Sequence, residues 1–161
     1  MSKTALTLSA LLRATANAYP KNPAIVHDGE IINYQEFDDR VDKLSAYLVE
    51  QGIKHKESVA YLFFNQWETL AIYHAITRIG AIGVAINHRL TPVEMQYQID
   101  ETRSKILLYD ESLKEIAGTL TELCATLEHF VGSDGDVTND LENETITNII
   151  EKPLPDITWA E

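Results

Sequence analysis

Apolar positions along the chain switch between two periods, and the switches mark its elements. Leu8, Leu11, Leu12 and Tyr19 recur at helical spacing and stop before Pro20, which predicts an amphipathic first helix with these four on one face. Ala24-Ile25-Val26-His27 and Ile31-Ile32 flank Asp28-Gly29, a pair that tight hairpin turns favour. Asn33 followed three residues later by Glu36 is a capping-box signature. Phe37, Val41, Leu44 and Leu48 form the apolar stripe of the helix it opens. Gly52 supplies the left-handed stop.

From Ser58 the pattern becomes regular. Val59-Ala60-Tyr61-Leu62-Phe63-Phe64 is a continuous apolar run, as expected of a strand covered on both faces. Asn65 with Glu68 reads as the cap of a helix running to Ile79 and ended by Gly80. Ile82 to Ile86 is the next strand, built from small residues and expected to be buried. Thr91, Pro92 and Glu94 then combine an N-cap, a first-turn proline and a capping-box acid. Ile106-Leu107-Leu108-Tyr109 is a third buried run. A helix with Leu113, Ile116, Leu120, Leu123 and Leu127 inward follows it, and Phe130-Val131 is a weaker fourth strand. Strand centres recur about every 23 residues, the spacing of strand–helix–strand crossovers. The fold class that follows is α/β, a three-layer, mainly parallel sheet with flanking helices.

The pattern changes after Gly132. Gly132-Ser133-Asp134-Gly135-Asp136 is a turn cluster, Asp140 to Ile150 reads as a short acidic helix, and Glu151-Lys152-Pro153-Leu154-Pro155 as an extended linker. Residues 1–132 are therefore read as one α/β unit, and 133–161 as an acidic turn, short helix and linker.

Composition removes several function classes. The chain has 161 residues, enough for one ordinary core, with 25 acidic against 13 basic residues and a formal net charge of −12. A nucleic-acid partner would need a basic face. Cys124 is the sole cysteine, which rules out an internal disulfide and a thiolate zinc cluster; on its helix stripe it reads as a small buried hydrophobe. The five histidines show no ligand spacing, so no metal site is expected. Ser58, Ser112 and Ser133 lack a nucleophile elbow. Arg13 interrupts the apolar N-terminal stretch, and no run reaches membrane-spanning length, so a cytoplasmic location is expected.

Asn33-Tyr34-Gln35-Glu36-Phe37 resembles the Thr-Tyr-x-Glu-Leu motif of the adenylate-forming (AMP-binding) enzymes. Pro20-Lys21-Asn22-Pro23-Ala24-Ile25-Val26 resembles the proline-flanked entry strand of that superfamily. The run Gly80 to Arg89 resembles its second motif, with Ala85 where a proline is usual and Asn87 as in the acyl-CoA synthetase branch. The resemblance extends from about Tyr19 to Leu113 and implies part of the large N-terminal domain of such an enzyme. The parent reaction it implies uses ATP and magnesium to turn a carboxylic acid into an acyl-adenylate, then passes the acyl group to the thiol of CoA. No Ser/Thr/Gly-rich phosphate loop ending in Pro-Lys-Gly occurs in the chain, and Pro153 to Glu161 resembles the approach to it. The expectation is the N-terminal part of a carboxylate–CoA ligase, inactive alone, binding none of these cofactors itself, with the remainder of the ligase as its partner. A stand-alone flavodoxin-like binding module and a fragment of a peptide-synthetase adenylation domain remain open.

No catalytic residue is expected in this span. The candidate binding residues are Asn87, His88 and Arg89, between a strand end and a helix start, and Lys114, just after the next strand. With the two strands read as neighbours, Arg89 and Lys114 would share a groove for the phosphates of CoA. The competing reading is that Asn87 and Arg89 close their own loop and that Asp110 and Glu111 pair with the cations. An exposed edge or apolar surface is also expected, leaving the chain alone sticky or a homodimer.

Overall fold

The computed structural model of the chain describes residues 7–134 and 145–153. An N-terminal helix α1 (Leu8–Ala18) leads into a hairpin of β1 (Pro23–His27) and β2 (Glu30–Asn33), then the long helix α2 (Tyr34–Glu50). Strands and helices then alternate: β3 (Ser58–Leu62), α3 (Trp67–Arg78), β4 (Ile82–Ala85), α4 (Pro92–Glu101), β5 (Ile106–Tyr109), α5 (Lys114–Leu123), β6 (His129–Gly132). A 3-10 turn over Glu111–Leu113 precedes α5, and α6 (Ile146–Glu151) follows the sheet.

The hairpin turns at Asp28 and Gly29, both at positive φ (46° and 83°), which is the geometry that makes this residue pair so favourable. The four remaining strands form one parallel sheet in the order β4-β3-β5-β6. Alternation along the strands divides the core in two. Val59, Ile106, Leu108 and Val131 pack with α1, α2, α3 and α6 on one face. Ala60, Leu62 and Leu107 pack with Met95 and Ile99 of α4 and Ala117 and Leu120 of α5 on the other. The three-layer α/β arrangement is thus the expected one, with β3 and β5 buried at its centre. Each fully buried Leu or Ile contributes about 1.5–3 kcal/mol.

Both predicted capping boxes form. Asn33 and Glu36 bond reciprocally at the start of α2. At α4 the Thr91 backbone N–H donates to Glu94 Oε2 (2.8 Å), and Thr91 Oγ1 accepts from the Glu94 N–H (3.4 Å). Thr91→Ala is expected to cost about 1 kcal/mol. The check is the urea midpoint, and an unmoved midpoint would contradict it.

Several expectations are corrected. Asn65 and Glu68 do not cap α3; the helix begins two residues later at Trp67, with Gln66 at a cap that makes no side-chain bond. On α1 only Leu12 and Ala16 are buried, while Leu8, Leu11 and Tyr19 are exposed. The reason is that Arg13 draws the helix onto α2 by ion pairs to Asp38 (2.9 Å) and Asp42 (2.6 Å). α5 stops at Leu123, with Cys124 extended at its C-cap, so Leu127 packs from the following loop. β4 is an edge strand, largely exposed, because nothing pairs beyond it among the described residues. The turn residues Gly135 and Asp136, the first part of the acidic helix and the linker from Leu154 onward lie outside the described residues.

One charged cluster was not anticipated. Arg78 at the end of α3 donates to Asp38 Oδ1 (2.6 Å), Asp42 Oδ1 (2.6 Å) and Ser9 Oγ (2.8 Å), fastening α1, α2 and α3 together.

Candidate functional site

A sheet of order β4-β3-β5-β6 changes its winding direction between β3 and β5. The chain leaves β3 through α3 on one face and returns from β4 through α4 on the other. In open α/β sheets ligands gather outside the C-terminal strand ends at such a point. Here those ends are tied together by backbone: Asp110 N–H donates to the Leu62 carbonyl (2.9 Å) and Ser133 N–H to the Tyr109 carbonyl (2.8 Å). Ser133 Oγ accepts from the Glu111 N–H (3.0 Å).

Two carboxylates sit at this switch point. Asp110 is 4% exposed and caps the 3-10 turn, its Oδ1 accepting from the Ser112 N–H (2.9 Å) and hydroxyl. Its Oδ2 and Glu68 Oε2 on α3 are both buried, and neither has a hydrogen-bond partner among the described residues. Burial raises the Glu68 pKa, opposed in part by a bond to its own backbone N–H and by His27, with a smaller upward push from the Asp110 charge and a smaller downward pull from Arg40. The Arg40 guanidinium lies 4.6 Å over the Trp67 ring beside them. The site favours donors and cations and disfavours a phosphate.

The folded chain holds the Glu68 proton more tightly than the unfolded chain does. That stabilisation is present below the ordinary carboxyl pKa and is lost as pH rises through the raised value. Glu68→Gln is therefore expected to gain stability over the wild type as pH rises from the ordinary carboxyl pKa of 4.5 through the raised value. Thermal unfolding across that range checks it; a pH-independent difference would contradict it.

The residues singled out from the sequence lie at the same end of the sheet. Asn87 closes its own loop, its Oδ1 accepting from the Arg89 N–H (3.0 Å) and its carbonyl from the Leu90 N–H (3.1 Å). The His88 ring packs against Phe64, with centroids 4.6 Å apart, joining the ends of β4 and β3. The Arg89 side chain is exposed, with no ion pair among the described residues. Lys114 pairs with Glu111 at 2.9 Å. The two strands expected to be neighbours are not: β3 lies between β4, which leads to Arg89, and β5, which leads to Lys114. Sequence reasoning missed Glu68 and Asp110 as a pair, having taken the first for a cap partner and the second for a surface ion pair. Their signal was positional: Asp110 directly follows β5 and Glu68 lies in the first turn of the helix after β3, two strands that become neighbours only in the fold.

The sequence model of the AMP-binding enzymes matches residues 12–156, nearly the whole chain. The chain belongs to the AMP-binding enzyme family. Its curated relatives include a 2-succinylbenzoate–CoA ligase of Listeria monocytogenes, 29% identical over 99 residues, covering 62% of this chain and 21% of the relative. A long-chain-fatty-acid–CoA ligase of Thermus thermophilus is 32% identical over 111 residues, covering 68% of this chain and 20% of the relative. The chain thus spans about a fifth of the length of the curated relatives it matches. Among solved structures, coronafacic acid ligase from Pectobacterium brasiliense superposes on 92% of this chain with a TM-score of 0.83 at 22% identity, using 30% of its own length. The N-terminal domain of FACL13 from Mycobacterium tuberculosis superposes on 95% with a TM-score of 0.79 at 19% identity, using 38%. At these identities the likeness establishes the fold alone, the α/β frame of this family's N-terminal domains.

No helix among the described residues is long and apolar enough to cross a membrane. No group of three or more His, Cys, Asp or Glu side chains able to hold a metal occurs among them.

Proposed function

We propose that the chain is the N-terminal frame of an ATP-dependent carboxylate–CoA ligase, and that it has no adenylating activity alone. The observation that carries this reading is the family match over residues 12–156, together with curated relatives that are CoA ligases. Within it, residues 1–132 form the α/β subdomain, and 133–161 lead toward the phosphate-binding loop of the parent. ATP, magnesium and CoA belong to that parent, as does the carboxylic acid substrate; the remainder of the ligase is the partner of this span, in the cytoplasm.

The same reading gives the β4–α4 loop a part in CoA binding. Asn87 holds the loop's shape, His88 fixes it against Phe64, and Arg89 projects as the phosphate contact, since a guanidinium binds phosphate bidentately. Lys114 acts from beyond β3, as a separate point charge already engaged with Glu111.

The test is a fusion of this chain to the remaining four-fifths of the Thermus thermophilus ligase, in place of the segment it matches. Fatty-acid-dependent ATP–pyrophosphate exchange by the fusion is the expected result. A fusion that folds, by circular dichroism and gel filtration, yet shows no exchange would contradict the reading.

A further inference from the structure

His74 faces α2 from within α3. Its ring meets the Phe37 ring edge to face, with centroids 5.7 Å apart at 87°, and Phe37 is itself 4% exposed. The Tyr73 ring lies 6.3 Å away. Nδ1 of His74 is buried, covered by this chain's own atoms, and has no hydrogen-bond partner among the described residues.

An imidazole changes charge near neutral pH, so the seam around a buried one favours whichever state it can satisfy. A neutral ring has one hydrogen, and carrying it on Nε2 leaves Nδ1 as a bare lone pair. A second proton on Nδ1 would be a buried donor with nothing to receive it. The charged groups around the ring are Arg78, one turn further along α3, Asp38 and Asp42 on α2, and Arg13 on α1. An imidazolium would stand beside the Arg78 guanidinium, whose side chain is only 7% exposed. Asp38 would favour it, but that carboxylate is already held by Arg78 at 2.6 Å and by Arg13 at 2.9 Å. The same two arginines hold Asp42. Burial, and then Arg78, accordingly keep the His74 pKa below its ordinary 6.5, against the weaker pull of Asp38.

We propose that His74 is an acid-sensitive latch on the α2–α3 seam: neutral, it packs against Phe37 and closes the seam, and on taking a solvent proton at Nδ1 it leaves that contact. Arg78 fastens α1 to the same seam, so acidification weakens the layer formed by α1, α2 and α3. Every group involved lies within this chain, and the latch does not rest on the ligase reading.

Urea unfolding of the wild type and of His74→Gln, from about pH 8 to about pH 5, tests it. The two chains share every other titrating group, so the ratio of their unfolding constants isolates this ring. Above pH 6.5 the ratio is expected to be constant. As pH falls below 6.5, the unfolded wild type takes up a proton that the folded chain refuses, and the ratio rises by up to about tenfold per pH unit. It levels off below the folded-state pKa. If His74→Gln does not fold, NMR of the wild type decides. The ring in contact with Phe37 should carry its hydrogen on Nε2, titrate below 6.5, and lose its cross-peaks to Phe37 as it does so. A ratio that stays constant throughout would overturn the proposal. So would a His74 ring that titrates at or above 6.5, or one that keeps its Phe37 contact when protonated.

Discussion

Arg78→Met is expected to lose about 3–5 kcal/mol of stability, the cost of leaving buried charges without their partner. The Arg78 side chain is 7% exposed and bonds to both Asp38 and Asp42, whose side chains are 1% and 7% exposed. Methionine fills a similar volume, so the loss comes from the two carboxylates rather than from a cavity. Arg13 remains beside them at 2.9 and 2.6 Å, but its side chain is 42% exposed and it cannot replace the interior partner. A domain of this size has roughly 5–15 kcal/mol in total, so the variant should unfold at much lower urea. Replacing Asp38 and Asp42 by asparagine in the same variant should recover a large part of the loss, because uncharged amides tolerate burial better. An Arg78→Met midpoint within about 0.5 kcal/mol of the wild type would mean that α1, α2 and α3 are held by their apolar contacts alone.

How far the sequence revealed this fold depends on the range of the signal. The caps at Asn33 and Thr91, the Asp28-Gly29 turn and the strand Ile106–Tyr109 are local, set by residues within a few positions of one another, and they appear as read. Apart from the misplaced cap of α3 and the early end of α5, the errors arise where distant contacts decide. α1 has two candidate apolar faces, and the choice between them is made by Arg13 meeting Asp38 and Asp42 on another helix. β4 has the apolar character of an interior strand, but a run of apolar residues does not report where in the sheet a strand is placed. Strand order has the same limit: consecutive strands need not be neighbours, and the crossover through α4 carries β5 past β3's far side. That one fact separates Arg89 from Lys114 and brings Glu68 near Asp110 instead.

The order of the strands also bears on function. A four-stranded parallel sheet with a switch point between β3 and β5 supplies a rigid frame and an acidic site at its C-terminal edge. Stabilising the transition state of adenylation requires donors and cations around the phosphates, held in place before the reaction. At the switch point this span presents carboxylates, and the Arg89 cation stands on the loop after β4, on the far side of β3. In the proposed ligase this span is therefore the frame, and the adenylation chemistry belongs to the remaining part.

ATP–pyrophosphate exchange by the chain alone, with magnesium and a panel of aliphatic and aromatic carboxylic acids, tests that division most directly. Exchange indistinguishable from an enzyme-free control is expected for every acid. Acid-dependent exchange that rises in proportion to the concentration of the chain would contradict it, since the span would then contain the adenylation chemistry assigned here to the rest of the ligase.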